Sequence, residues 1–214
     1  MRSKSVRSGV FVALVVMMVV ANTSPVHAKR NASPIRTDAH GNVARWDPCS
    51  PLKWKVGDGV NRGVLWKSLL TAIQQLNNST GLNFQYAGIA TAIEMQEPPT
   101  NTLVVTLSDS FPRPLVAGTT RVKYASGVND SIVIVGASIK VNSRIIKGQL
   151  QGLVLPVLLH ELGHVVGLAH VDDSKNIMYP RAIRAMKYKP NEVSELAMFG
   201  ASAGCHPVQG SANL

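Results

Sequence analysis

The chain has 214 residues, of which 45% are apolar and 16% are charged, so it is long enough to bury one sizeable core. Its 22 lysine and arginine residues outnumber 12 acidic residues, which gives a formal net charge of +10. The basic residues are scattered and match no nucleic-acid-binding motif, so we expect no nucleic-acid partner. The charge favours solubility and weak attraction to anionic surfaces instead.

The N-terminus has the three features of a secretory signal peptide. Basic residues precede an apolar run from Val10 to Ala21, and Val26-His27-Ala28 forms a small-x-small cleavage site. A membrane anchor is the alternative, but the run is well short of the roughly 20 apolar residues that span a bilayer. We therefore predict a signal peptide over residues 1–28 and a secreted mature chain with no stable membrane insertion. The mature chain retains 19 basic and 12 acidic residues, a net charge of +7.

Residues 29–45 are polar and lack periodicity, which predicts a flexible lead-in or a short pro-segment. Residues 46–214 are predicted to form one catalytic domain, because apolar periodicity begins at Trp46. In chain order, the pattern predicts a strand over 52–56, a helix over 63–78, strands over 82–86 and 102–107, an edge strand over 119–124, a strand over 132–135, a helix near 153–166 and a helix over 192–199. This order is typical of an α+β fold with a partly parallel sheet.

Two residues mark the expected starts of the last two helices. Pro156 is predicted in the first turn of its helix, because proline deeper inside would break a backbone hydrogen bond. Asn191 is the predicted N-cap of the last helix, which Gly200 would follow.

The segment from His160 to His170 has the spacing of a metal site. His160 and His164 lie one helical turn apart on the same face, so both imidazoles are able to reach one ion. Gly167 tolerates the left-handed backbone that would end the helix, and His170 follows at the reach needed for a third ligand. Three neutral imidazoles leave a fourth position for water, which is the arrangement of catalytic zinc sites.

Glu161 is the predicted general base of this site. It follows His160 directly and would take a proton from the zinc-bound water, then pass it to the leaving amine. Chance placement of core histidines is the alternative interpretation. However, three histidines, a glutamate and a glycine at the required spacing are far more specific than a bare HExxH. We therefore predict one catalytic zinc ion.

The mature chain has two cysteines, Cys49 near its start and Cys205 near its end. Export to an oxidising compartment would allow a disulfide between them. The alternative is a free thiol that caps the zinc ion and keeps the enzyme latent.

The motif from His160 to His170 is followed by Asn176-Ile177-Met178-Tyr179-Pro180, and this combination resembles the metzincins and, within them, the matrixins. The resemblance implies a metzincin-like (zincin) catalytic domain: a mixed twisted sheet, an active-site helix and a C-terminal helix. It also implies that Met178 forms a turn beneath the zinc without ligating it. The segment from Pro180 onward would line the substrate pocket. Residues 119–124 would form the edge strand that pairs with an extended polypeptide.

The short layout is more similar to small secreted bacterial matrixin-like peptidases than to animal enzymes. This resemblance favours a disulfide between Cys49 and Cys205 over a latency thiol at Cys49. Asp38 and Asp47 are two further groups that would be able to block the zinc from a pro-segment. A calcium requirement stays open, because sites built from scattered carbonyl groups leave little trace in a sequence.

These observations predict a monomeric, secreted zinc endopeptidase that acts on polypeptides. Two other hypotheses remain. One is a zinc hydrolase that acts on cell-wall peptide material, which the basic charge favours. The other is a catalytically idle zinc-containing binding protein, which the presence of Glu161 disfavours.

Overall fold

The computed structural model of the protein describes residues 34–111, 116–181 and 184–209. The predicted signal peptide over residues 1–28 lies outside the described residues. The strands are β1 (Arg45–Trp46), β2 (Leu52–Val56), β3 (Phe84–Ile89), β4 (Thr102–Ser108), β5 (Gly118–Ser126) and β6 (Ile132–Asn142). The helices are α1 (Gly63–Thr80), α2 (Ala92–Gln96), α3 (Val154–Val165) and α4 (Pro190–Met198).

The strands form one mixed sheet in the order β3-β2-β4-β6-β5. All pairings are parallel except that of β5, which runs antiparallel to β6 at one edge. The short strand β1 also pairs with β6, at Val133 and Ile134, while β4 pairs from Gly136 onward. Since β5 pairs with one edge of β6, β1 and β4 both pair with its other edge, β1 near the start of β6 and β4 further along it. The predicted class, an α+β domain with a mixed sheet, an active-site helix and a C-terminal helix, is confirmed.

One face of the sheet packs against α1 and α3, and the hydrophobic core lies between them. The alternating burial of β2 shows why: Leu52, Trp54 and Val56 are buried while Lys53 is exposed. α3 is apolar around most of its circumference, and ten of its 12 residues are buried. α3 is therefore a central core element rather than a surface helix.

Several element boundaries differ from the predicted ones. β6 extends to Asn142, beyond the predicted residue 135, because paired strands on both sides continue its ladder. α1 continues to Thr80 and ends at Gly81, whose φ of 69° is the left-handed conformation of a helix C-cap. The prediction of Asn191 as the N-cap of α4 is wrong: the cap is Lys189, with Pro190 in the first turn.

The segment predicted as a flexible lead-in is folded over its described part. Residues 34–44 make a short hairpin in which the Ala44 N–H donates to the Arg36 carbonyl at 2.9 Å. The Asp38 carboxylate closes its turn by accepting from the backbone N–H groups of His40 and Asn42. Ala44 is buried. Backbone pairing, which polar composition does not record, stabilises this segment.

The two cysteines form a disulfide between Cys49, just after β1, and Cys205, near the C-terminus. Asp47 supports this junction, since its carboxylate accepts from the N–H groups of Cys49 and His206 and from the Ser50 hydroxyl. Within the described ranges, no helix is long and apolar enough to cross a membrane.

Candidate metal centre

α3 presents two histidines on one face, and the chain that follows returns a third. The Nε2 atom of His170 lies 3.2 Å from that of His160 and 3.1 Å from that of His164. Four ligands arranged tetrahedrally at about 2.05 Å from a zinc ion are separated by about 3.3 Å. The two distances to His170 therefore match the spacing of zinc ligands, and all three ligand atoms lie within 4.8 Å of one another.

The opposite ring nitrogens show which protonation state the site favours. Nδ1 of His160 lies 2.7 Å from the Ile177 carbonyl, and Nδ1 of His164 lies 2.7 Å from the Leu168 carbonyl. A carbonyl only accepts, so both Nδ1 atoms carry the hydrogen, and each neutral ring has its lone pair on Nε2. These two lone pairs lie within 3.2 Å of Nε2 of His170, so one cation between the rings would be shared by all three nitrogens. The donor set thus fits a metal ion, with backbone carbonyls fixing the ring orientations.

Burial reinforces this state. Desolvation lowers the pKa of His164 to about 4 and also lowers the pKa of His160, because a buried imidazolium loses its hydration. The hydrogen bonds to Leu168 and Ile177 oppose this effect only in part. Neutral imidazole is the form that binds metals, so little proton competition is expected at neutral pH.

A glycine turn reverses the chain between the second and third histidines. Gly167 has a φ of 104°, which side chains other than that of glycine rarely allow. Its N–H donates to the His164 carbonyl at 3.0 Å, and the Leu168 N–H donates to the Gly163 carbonyl at 3.0 Å. These bonds end α3 and direct the chain back toward His170, as the sequence predicts.

Glu161 is buried beside the histidines, with 5% of its surface exposed. The Thr120 hydroxyl donates to its Oε2 atom at 2.6 Å from β5. Desolvation raises the pKa of Glu161 to about 7, against the opposing effect of this hydrogen bond. A neighbouring cation would favour the carboxylate form again. A side chain of this kind can accept and release a proton near neutral pH.

A cavity of about 590 Å³ opens over these groups. One wall is β5 with the residues before it, and the other is α3 with the chain after His170. The residues that line it are Val116, Ala117, Gly118, Thr119, Thr120, Pro156, Val157, His160, Glu161, His164, His170, Ile177, Pro180 and Arg181. Pro180 and Arg181 lie in the cavity where a pocket-lining segment is predicted; Ala182 and Ile183 of that segment lie outside the described residues.

Met178 is 2% exposed and packs against Gly163, the residue that precedes His164 on α3. A side-chain carbon at Gly163 of α3 would collide with the Met178 sulfur, so the glycine allows the turn to pack directly on the helix. The Met178 N–H donates to the Asn176 side chain at 2.8 Å, and its carbonyl accepts from Val171 at 3.1 Å. The sequence predicts the position of Met178 but not the need for Gly163.

Glu192 is a functional candidate that the sequence interpretation missed. It is 3% exposed, and its carboxylate accepts from the N–H groups of Ile177 and Lys189, each at 2.6 Å. The Ile177 carbonyl is in turn the acceptor for His160. Glu192 thereby ties α4 to Ile177, the residue whose carbonyl orients the first histidine. An acid in the first helical turn was visible in the sequence, but its partner 15 residues away was not.

Three sequence hypotheses about latency find no support in the geometry. Cys49 is bonded to Cys205, so it offers no free thiol. Asp38 closes the hairpin turn, and Asp47 accepts three hydrogen bonds near the disulfide, so neither carboxylate faces the histidines. Asp47, Cys49 and Cys205 lie close together, but these bonds occupy the atoms that would ligate a metal.

Comparison with known proteins singles out the segment that carries the site. The family model of matrixin matches residues 125–196, which include the three histidines, Glu161 and Met178. The predicted resemblance to matrixin-like metzincins is confirmed over this third of the chain, and it supports a zinc metallopeptidase. No curated protein matches the sequence. Among solved structures, archaemetzincin from Methanopyrus kandleri is similar at 16% identity, with 71% of this chain and 96% of that chain covered and a TM-score of 0.45. That similarity is too low to establish a shared fold.

Proposed function

We propose that this protein is a secreted zinc-dependent endopeptidase. The observation that carries the proposal is that the Nε2 atoms of His160 and His164 both lie within 3.2 Å of Nε2 of His170, in a cleft that also contains a buried glutamate. His160, His164 and His170 would hold the ion. Three protein ligands are the set that catalytic zinc sites use, whereas structural sites have four.

Zinc, when bound, supplies Lewis acidity that polarises a carbonyl group and acidifies a coordinated water molecule. Glu161 contributes the proton transfers. Its Oε1 and Oε2 atoms are buried at the cavity wall, and Thr120 occupies Oε2 as a hydrogen-bond donor. Oε1 is therefore the atom assigned to accept the proton of the attacking water and to return it to the leaving amine.

The proposed substrate is an extended polypeptide. β5 pairs with β6 along one side, and its first residues, Gly118 to Thr120, line the cleft. No strand within the described ranges pairs with the other side of β5. A peptide laid along that side would gain main-chain hydrogen bonds and would lie over the histidines.

Secretion is supported by two observations. Residues 1–28 have the composition of a signal peptide, and the chain contains a disulfide that joins Cys49 to Cys205 across 156 residues. Disulfides form and persist in oxidising compartments outside the cytosol. By the chain-entropy model, a loop of this length stabilises the fold by about 4 to 5 kcal/mol.

The first test measures zinc content and the cleavage of a quenched-peptide library, with and without a zinc chelator. We expect one zinc ion per chain, cleavage inside peptides, and loss of cleavage on chelation that added zinc restores. Bound zinc with no turnover on any substrate would favour the binding-protein hypothesis. Absence of zinc would refute the proposal.

A hydrolase for peptides attached to an anionic wall polymer is the second candidate, and one groove favours it. This groove, of about 430 Å³, lies on the sheet face away from α3 and contains Arg121 and Lys140. Neither has an ion-pair partner among the described residues, whereas Lys55 and Lys123 pair with acids of the α2 region. Unpaired cations in a groove attract anionic polymers.

Purified wall material and casein separate the two candidates. If wall peptide is the substrate, Arg121→Ala and Lys140→Ala should slow its turnover while leaving the cleavage of a neutral peptide unchanged. Lys53→Ala is the matched control, since Lys53 lies on the same sheet face but outside the groove. Efficient cleavage of casein, insensitive to all three changes, would favour a general endopeptidase.

A further inference from the structure

The hairpin of residues 34–44, here called the N-terminal arm, contacts the turn that carries the second and third histidines. The Ile35 N–H donates to the Gly167 carbonyl at 2.7 Å, and Pro34 forms an antiparallel bridge with Leu168. At the other end of the arm, a side-chain carbon added to Gly167 would lie 3.0 Å from the Ala44 carbonyl oxygen. The arm therefore covers the Gly167-Leu168 backbone from both of its ends.

That backbone also orients a metal ligand. The Leu168 carbonyl accepts from Nδ1 of His164 at 2.7 Å, and His170 follows two residues later. Gly167 is the most flexible type of residue, and its φ of 104° must be held by surrounding contacts. The Gly167 N–H donates to the His164 carbonyl within the turn, whereas the Gly167 carbonyl accepts from Ile35 of the arm.

The arm is itself anchored to the domain. Its hairpin is closed by the Thr37–Val43 bridge and the Asp38 turn, and Arg36 lies 5.1 Å from the centre of the Tyr124 ring on β5. Immediately after the arm, the Trp46 indole donates to the Val165 carbonyl at the end of α3 at 2.8 Å. The arm thus contacts both the sheet, at Tyr124, and the turn that follows α3, at Gly167.

We propose that the N-terminal arm is a permanent part of the metal centre, which holds the Gly167-Leu168 turn in its zinc-binding conformation and so positions His164 and His170. It is not a pro-segment, and processing that removed it would weaken zinc binding. Ile35 is the principal positioning residue. It acts through its backbone N–H rather than through its side chain, since the residue as a whole is 45% exposed. The inference rests on the zinc ligand set of the proposed function.

The test compares Ile35→Pro, which removes the N–H, with Ile35→Ala, which keeps it. Zinc affinity is measured in the full chain by chelator competition, and the cobalt-substituted protein reports ligand geometry through its visible spectrum. Loss of a group that orients a metal ligand lowers metal affinity by about 10- to 100-fold. We expect this loss and a changed spectrum for Ile35→Pro, with Ile35→Ala within about twofold of the wild type. Equal affinities for the two variants would overturn the inference.

A measurement on the wild-type chain covers the case in which Ile35→Pro fails to fold. Coupling is reciprocal, so an arm that favours zinc binding must itself be stabilised by zinc. Hydrogen exchange of the Ile35 amide should slow on zinc addition by more than that of Asp38, whose amide bonds to Asn42 inside the same hairpin. Equal slowing of both amides would overturn the arm's role. A wild-type chain that binds no zinc would instead refute the proposed function.

Discussion

Two buried glutamates lie near the histidines, one in the cleft wall and one in the segment of Ile177 and α4, here called the floor. The two carboxylates differ in their hydrogen-bond partners. Glu161 in the wall is 5% exposed and accepts one hydrogen bond from a neutral hydroxyl, that of Thr120. Glu192 in the floor is 3% exposed and accepts two backbone N–H groups, from Ile177 and Lys189. Both carboxylates are removed from water, but only one has both oxygens paired by the backbone.

This difference separates a reactive group from a structural one. A buried carboxylate with few donors has a raised pKa and a free oxygen, which suits proton transfer at the cleft. A carboxylate held by two short hydrogen bonds joins two chain segments, here α4 and Ile177, whose carbonyl orients His160. The same substitution, glutamate to glutamine, should therefore lower the catalytic rate at Glu161 and the metal affinity at Glu192.

The largest effect is expected for Glu161→Gln, which keeps the shape of the side chain and removes the proton acceptor. Loss of a general base costs about 10²- to 10⁴-fold in rate. We expect kcat to fall by this amount while zinc content, measured by metal analysis, stays at the wild-type level. Activity within a few-fold of the wild type would contradict the role assigned to Glu161.

Gly118→Ala tests the position of Glu161 without changing it. A side-chain carbon at residue 118 would lie 2.8 Å from the Glu161 Oε1 atom, so the flexible carboxylate must move. Misplacement of a catalytic group by about 1 Å costs up to about 100-fold in rate. We expect a loss of kcat approaching that size, with unchanged zinc content and thermal stability. Gly152→Ala is the control, since an added carbon there contacts nothing; equal rates for the two variants would contradict the prediction.

Glu192→Gln should act on the metal instead. Its amide group would face a backbone N–H where the carboxylate now accepts, which would loosen the bond to Ile177 or to Lys189. Zinc affinity should fall by about 10- to 100-fold, as for other groups that orient metal ligands. Chelator competition measures the change, and Glu195→Gln on the same helix is the control. If Glu192→Gln lowers kcat at saturating zinc but leaves zinc affinity unchanged, Glu192 acts in catalysis, like Glu161, rather than in metal binding.

Relations between residues of one helix can be read from the sequence, whereas contacts between separate elements cannot, for a physical reason. His160, His164 and Glu161 share one helix, so 3.6-residue periodicity fixes their relation, and Gly167 marks the reversal that brings in His170. Thr120 contacts Glu161 from 41 residues away, and that contact depends on the position of β5 beside α3. Spacing in a sequence carries no record of such a contact.

The start of α4 and the hairpin of residues 34–44 both involve contacts that residue type does not record. Residue type predicts Asn191 as the cap of α4, yet the helix starts two residues earlier, at Lys189, whose N–H donates to the Glu192 carboxylate that also accepts from Ile177. Residues 34–44 are polar enough to predict a mobile segment, yet they pair with Leu168 across the fold. In each case the segment also bonds to a distant part of the chain, Glu192 to Ile177 and Pro34 to Leu168.

The smallest effect is expected for the removal of the Thr120 hydroxyl, the single hydrogen-bond donor to the Glu161 carboxylate. Thr120→Val has nearly the same shape but cannot donate to Glu161, whose Oε2 atom would be left buried without this partner. One neutral hydrogen bond contributes about 0.5–1.5 kcal/mol, so kcat should fall by about two- to tenfold, with little change in KM or zinc affinity. Thr120→Ser keeps the hydroxyl and should stay near the wild-type rate, which separates the loss of the hydrogen bond from the loss of packing. If the serine variant loses as much as the valine variant, the methyl contact of Thr120 positions Glu161, and the wall differs from the floor in packing rather than in hydrogen bonding.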